Sequence, residues 1–491
     1  MLQEEVYIRP LWNGVGNVES TDWETVLDQA ASAAREWAAT KPADRAAVLD
    51  HIAYTLERDA DELIALAGWE CRLPFDGLRL DLRRCTFQLR EYARHLRAGR
   101  FLGAMVDHAD PNWPAGPRPD LRRMLVPVGP VAVFGASAFP FAFSVAGSDT
   151  AAALAAGCPV VLKAHHTHPE LSDRTAELVV RALAERGAPE GVFALVHGER
   201  SGRDLVLDPR IKAVTFIGSA KVGRELYALA TGREEPIPFY GGFGSVNPVF
   251  VTRIAAARRG VEIARQFVEA YTHSGGQICT KPGVFVVPST SVLAEAAAQQ
   301  ARDTRVEPLF NTLVAERYEE GLWELRDKLK PLVDGDATAD GHTPTLLLTT
   351  AKDVLAQPED ALSECFGPVA VVVHYDTDEE LLALARALPG QLTATVQGEN
   401  GDAVVPELLA ELAGRAGRVV WNQWPNDVSV TPAMHHGGPY PATTAPHHTT
   451  VGVGAIARFQ RPVVFQGLPR HLLPDVLREE NPLGVPRLED Q

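Results

Sequence analysis

Three short segments hold residues whose types and spacing could do chemistry together. Cys279 lies in HSGGQICTKPG, where small neighbours leave room for a carbonyl beside a thiol. A thiolate is a strong nucleophile, although a single cysteine is more often a packed core residue. GSAKVG, Gly218 to Gly223, follows the apolar run AVTFI and opens a helical stretch. Free amides at such a helix start point toward a bound anion, so Gly218 and Ser219 suit a pyrophosphate; a plain strand-to-helix turn is the competing reading. Lys163 ends the run PVVLK, where side chains reach the crevice at the carboxyl edge of a parallel sheet. Alone, a lysine there is usually only solvated.

Metal chemistry finds less support. His165, His166 and His168 with Glu170, and His435, His436, His447 and His448, form two histidine groups without an HExxH or comparable ligand spacing. Solvated or structural histidines account for them. Five cysteines make no CxxC pair, which reads as reduced thiols in the cytosol.

The elements that must position these residues are those of a layered α/β protein. The 491 residues exceed one ordinary core, and 46% hydrophobic with 22% charged residues is a globular balance. A net charge of −16 argues against nucleic acid and anionic membranes as partners. The N-terminus lacks the basic-then-apolar layout of a signal peptide, so a cytoplasmic place is expected. The nearly uncharged stretch Val126 to Gly147 is broken by Pro130, Pro140 and internal glycines, and predicts a strand and a turn rather than a spanning helix. Residues 22–102 carry helical periodicity. Strands are then predicted at 131–135, 159–164, 192–196 and 213–218, separated by Ala-rich helices. Uninterrupted apolar runs between helices indicate a parallel sheet buried on both faces. A second α/β series runs from about 249, with strands at 284–288, 368–375 and 418–422. After Met434 the chain turns rich in Gly, Pro, His and Thr, like a tail that docks elsewhere. There is no P-loop and no GxGxxG.

GSAKVG, GQIC at 276–279 and ECFGP at 364–368, in that order and at those separations, resemble the aldehyde dehydrogenase superfamily. VGPVAVFGAS, ALAAGCPVVLKAH, GSVNPVF, QLTATV, HGGPYPATT and RPVVFQGLP are similar to its NADP-linked fatty-aldehyde and ketoglutarate-semialdehyde branch. The resemblance implies a Rossmann-like cofactor domain at 1–248 with a bridging β segment near 103–125. It further implies a catalytic α/β domain at 249–440 and a C-terminal bridging and oligomerisation segment at 441–491, assembling a homodimer or homotetramer. It makes Cys279 the nucleophile and Lys163 the lysine at the adenosine ribose. Gly218 and Ser219 then lie at the pyrophosphate, and Glu364 and Phe366 at the nicotinamide ribose and ring. His166 replaces a glutamate that repels a 2′-phosphate in NAD-preferring members, so NADP is expected, with NAD possible; Arg200 is a further phosphate partner.

Two positions depart from the pattern. The family's oxyanion-stabilising asparagine is Ala138 here, and its general-base glutamate is Gly242. Losing one oxyanion donor costs about 2.7–4 kcal/mol, and losing a base costs on the order of 10²–10⁴-fold in the steps that need it. Three readings follow. One is a non-hydrolytic enzyme that passes an acyl group from Cys279 to a thiol, or reduces an acyl thioester, carrier-bound substrates included. The second is a conventional dehydrogenase with a substitute base, and the third a degenerate scaffold or binding subunit. The turns at Gly241, Gly242 and Gly244 predict a roomy site.

Overall fold

A computed structural model describes residues 23–490 apart from 307–308, 336 and 339–340. Four helices come first, Trp23–Ala39, Pro42–Arg58, Ala60–Cys71 and Phe75–Ala98. The last buries Leu78, Leu82, Cys85, Leu89, Tyr92 and Leu96 along one face and stops at Gly99, whose φ of 71° suits a residue without Cβ.

Strands Phe193–Val196, Val160–Lys163, Val131–Phe134, Ala213–Ile217 and Phe239–Gly242 lie side by side in that order, all parallel. The chain moves outward from the central strand to one side and then to the other. That reversal opens a crevice at the carboxyl ends of Val131–Phe134 and Ala213–Ile217, where ligands bind in open α/β sheets. The four apolar runs match the first four of these strands within a residue or two, and the edge strand Phe239–Gly242, with two glycines among its four residues, carries no such run. The uncharged stretch at 126–147 is strand Val131–Phe134 followed by a turn, and among the described residues no helix is long and apolar enough to cross a membrane.

A second sheet has seven strands, ordered Lys330–Val333, Thr345–Thr350, Val369–Tyr375, Val284–Pro288, Val249–Val251, Gln391–Gln397 and Ala416–Trp421, antiparallel only at the first pair. A third joins Gln460–Gln466, Leu121–Pro127, Ala104–Asp107 and Arg487–Glu489. The C-terminal segment thus returns to the first half of the chain. A buried ion pair, Arg458 to Asp149 at 2.6 Å, fastens it to helix Ser148–Ala156.

Candidate active site

Cys279 follows a short irregular turn, His273–Gly276, at the end of helix Arg253–Thr272. Gly275 and Gly276 hold φ of 66° and 69° there, and a Cβ on Gly276 would strike the Gly367 carbonyl. This close approach brings the cysteine turn against the segment that carries Glu364 and Phe366. Asn247 clamps the turn from below, its Nδ2 donating to the carbonyls of Cys279 at 2.8 Å and Lys281 at 2.9 Å.

Cys279 is half-buried, whereas Cys71, Cys85, Cys158 and Cys365 are buried. Its Sγ lies 3.5 Å from Nε2 of His436. The histidine is buried, held by a hydrogen bond from its backbone N–H to Thr449 Oγ1 at 2.9 Å, and its ring lies 6.3 Å from that of Phe143. Burial, reinforced by the Glu364 charge, pushes the thiol up to about 12. Burial, reinforced by the charges of Arg84 and Arg418, holds the imidazole down at about 3. At neutral pH both are therefore uncharged. Arg84 sits over the Phe143 ring, 5.9 Å from its centroid. Arg418 is held by the carbonyls of Pro425 and Asp427.

The two departures from the family pattern are different kinds of site. Gly242 ends its strand half-buried, and a Cβ there would meet only Ile217 Cγ1 at 3.9 Å. Gly241 and Gly244 are not open. A Cβ on Gly241 would meet the Phe243 and Phe239 rings at 2.5 and 2.7 Å, and one on Gly244 would strike the Glu364 carboxylate. The expected roominess is confined to Gly242. Ala138 lies in the turn after strand Val131–Phe134. Asp81 shapes that turn, its Oδ2 accepting from the N–H groups of Phe141 at 2.9 Å and Ala142 at 3.4 Å.

A cavity of about 360 Å³ reaches Gln277 and Ile278, the residues just before Cys279. Leu78, Phe139, Val306 and Phe310 give it an apolar wall, with Asp81 inside and Arg305 at its exposed edge.

The other sequence-derived positions fall into two groups. Lys163 ends strand Val160–Lys163, half-buried, and Gly218 and Ser219 lead into helix Ala220–Thr231. Ser219 Oγ accepts from Val222 N–H at 3.4 Å as the N-cap. All three flank the carboxyl-edge crevice. His166 is exposed and stacks on His165 with centroids 4.5 Å apart. Arg200 lies in helix Glu199–Leu207, its side chain 82% exposed, 3.7 Å from Asp204. Glu364 and Phe366 sit beside Cys279 instead. Glu364 is an exposed residue whose carboxylate is turned in against Gly244, and burial of that carboxylate pushes it up to about 7. A helix start led by Gly218 and Ser219, a lysine at the sheet edge and an inward carboxylate are groups that could hold a dinucleotide. Among the described residues no group of three His, Cys, Asp or Glu could hold a metal ion.

Reading from sequence missed His436, Arg84, Asp81 and Lys281 as site residues. In the sequence His436 stands out only as a metal-ligand candidate in a histidine group that reads as structural, and Arg84 and Asp81 are polar letters in an amphipathic helix.

Comparison with known proteins places the chain in a family and a fold. Residues 11–439 match the aldehyde dehydrogenase family. An alpha-ketoglutaric semialdehyde dehydrogenase of Acinetobacter baylyi is 40% identical over 94% of this chain and 90% of its own length. Alpha-ketoglutaric semialdehyde dehydrogenase 2 of Azospirillum brasilense is 40% identical over 97% and 92%. In fold, aldehyde dehydrogenase C of Pseudomonas syringae, solved as a cysteine-to-alanine mutant with NAD+ and octanal, superposes with a TM-score of 0.74 at 22% identity, covering 91% of this chain and 89% of that one. Thermus thermophilus 1-pyrroline-5-carboxylate dehydrogenase gives 0.74 at 21% identity, over 90% and 84%. With a family match across most of its length and 40% identity to relatives over nearly all of it, the chain belongs to the aldehyde dehydrogenase family of oxidoreductases.

Proposed function

We propose that the protein oxidises an aldehyde with NADP, NAD being a possible substitute, through a covalent adduct on Cys279, and that His436 takes the thiol proton. The observation that carries this reading is the 3.5 Å separation of Cys279 Sγ and His436 Nε2. A thiol held near 12 gains little by ionising alone. As sulfur adds to the carbonyl, the thiol proton passes through the imidazole to the carbonyl oxygen, giving a neutral thiohemiacetal rather than two lasting buried charges. The imidazole takes that hydroxyl proton back when hydride leaves. Lys163, Gly218, Ser219, Glu364 and Phe366 would hold the dinucleotide, with His166 and Arg200 nearest a 2′-phosphate. Bound there, the dinucleotide supplies the hydride acceptor that turns a Cys279 thiohemiacetal into a thioester.

Release is the altered half of the reaction. No carboxylate stands at Gly242 to activate water, so a thiol acceptor, small or carrier-bound, clears the thioester faster than water does. A second reading has His436, freed of its proton, activate water and yield a carboxylic acid, as the names of the two 40% identical relatives favour. Arg84 and Arg418, whose charges bear on Cys279 and His436, suit an aldehyde that also carries a carboxylate. We read 1–248 as the cofactor domain, 249–440 as the catalytic domain and 441–491 with the 103–125 segment as the bridging part of a cytoplasmic homodimer or homotetramer.

Rapid mixing with aldehyde and NADP tests the choice. A burst of at most one NADPH per site, followed by a slow phase that added thiol accelerates, is expected. Steady turnover to free acid without a burst favours the second reading, and no reaction with intact nucleotide binding favours a scaffold.

A further inference from the structure

Lys281, two residues beyond the cysteine, is only 4% exposed, yet it ends in an ammonium group. Its Nζ donates to three backbone carbonyls, Cys365 at 2.7 Å, Val369 at 2.9 Å and Gly367 at 3.1 Å. Three donors meet three acceptors, so the group is fully used. All three acceptors belong to the segment that holds Glu364 and Phe366. Asn247 grips the Lys281 carbonyl from the opposite side at 2.9 Å. Lys281 and Glu364 also line one small cavity of about 10 Å³ together with Ser245 and Cys365, room for about one water.

Buried lysines are uncommon because an ammonium loses its hydration, and here burial lowers its proton affinity. A methionine would fill such a space at less cost, but it could neither bond the carbonyls nor oppose a negative charge. Glu364 is the negative charge present. The groups facing its carboxylate are Lys281, the Ser245 amide, and the thiols of Cys279 and Cys365; Glu324 bears on Cys365 in turn.

We propose that Lys281 is a positioning residue that fastens the Glu364–Phe366 segment to the cysteine turn and balances the charge of the Glu364 carboxylate. The fastening follows from the three carbonyl bonds alone. The charge balance rests on the reading of Glu364 as a dinucleotide ligand, because an ionised carboxylate accepts hydrogen bonds from ribose hydroxyls more strongly than a neutral acid.

Two measurements on the full-length protein test these parts separately. Hydrogen exchange without nucleotide reads the fastening. Lys281→Gln should raise exchange about tenfold or more at 364–369 and 279–281 together, leaving helix Arg253–Thr272 unchanged; unchanged exchange at 364–369 overturns it. Calorimetry of NADPH binding across pH reads the charge. The unaltered protein should bind more tightly as pH rises through about 7, where burial places the Glu364 carboxyl. In Lys281→Gln the midpoint should move to about pH 8, leaving binding about threefold weaker near pH 7.5 and about tenfold weaker near pH 6. Glu364→Gln should lose the midpoint while keeping protected amides at 364–369. An unmoved midpoint in Lys281→Gln overturns the charge balance. Failure of the unaltered protein to bind NADPH would defeat the dinucleotide reading instead, and the exchange result would still decide the fastening. Should Lys281→Gln not fold, Lys281→Arg retains the charge, and its midpoint should stay near that of the unaltered protein; an upward move there counts against charge balance.

Discussion

Sγ of Cys279 and Nε2 of His436 stand 3.5 Å apart as a neutral pair, thiol beside imidazole, rather than as thiolate and imidazolium. Burial pushes the thiol up to about 12 and the imidazole down to about 3, each toward its uncharged form. Labelling of Cys279 by iodoacetamide in the free protein should therefore climb about tenfold for each pH step from about 6 to 9, since only thiolate reacts. Cys279 should still label before the four buried cysteines. His436→Ala should leave this slope unchanged yet slow aldehyde-dependent NADPH formation on the order of 10²-fold or more. A labelling plateau on the acid side would instead reveal a preformed ion pair.

Gly242 is the place where a base can be restored. A Cβ there meets only Ile217 at 3.9 Å, so Gly242→Glu adds a side chain without forcing the backbone. The thiol-independent slow phase should quicken by roughly 10²-fold, with little change in the burst. Unaltered slow-phase rates, checked by rapid mixing, would place the water-activating group elsewhere.

How far the sequence reveals such relationships depends on whether residue type and neighbourhood agree. Apolar runs such as VAVF and VFVVP are buried on both faces and are legible as strands. QLTATVQ at Gln391–Gln397 is equally buried, but its polar letters hide it. Gln391 Oε1 accepts from Ser245 Oγ and from the amides of Val246 and Asn247, and Thr393 Oγ1 donates to Asn247 Oδ1. Those partners lie about 145 residues away in sequence, so no local pattern discloses them. The same holds at the site. Cys279 is marked by its glycine-rich turn, whereas His436 reaches it from 157 residues away. The long separation hides the pairing with Cys279, although His436 itself stands out in a histidine group.

Asp81 gives a prediction for stability. Burial pushes its carboxyl up from 3.8 to about 6. Between those values the folded protein holds a proton that the unfolded chain has released, so this group's contribution to stability falls as pH rises through the window and is fully lost above it. Asp81→Asn removes the titration while keeping an oxygen for the Phe141 and Ala142 amides. Relative to the unaltered protein, the variant should gain up to about 3 kcal/mol between roughly pH 4 and pH 7, judged by chemical unfolding at each pH. A difference that does not vary with pH would mean that the carboxyl is ionised normally in the fold.

The cavity beside Ile278 bears on which aldehydes enter, and Gly77 is the position from which to ask. It lies in the first turn of helix Phe75–Ala98 and lines the cavity, and a Cβ there meets nothing within 4 Å. Its φ is ordinary, so a larger residue is not strained, and replacing glycine within a helix favours folding by roughly 0.5–1 kcal/mol. Gly77→Leu should therefore keep or raise the melting temperature while filling part of the 360 Å³ space with an isobutyl group. If the apolar body of the substrate lies there, kcat/KM for an eight-carbon aldehyde should fall about 10–200-fold, the range for a methylene or two of lost pocket. A short semialdehyde should be affected much less, because its carbonyl can reach Cys279 without occupying the far end. Gly77→Ala should fall between. Equal losses for long and short aldehydes, with folding intact, would show that the leucine disturbs the catalytic turn rather than the pocket. No loss for either would place the route to Cys279 on another side of the molecule.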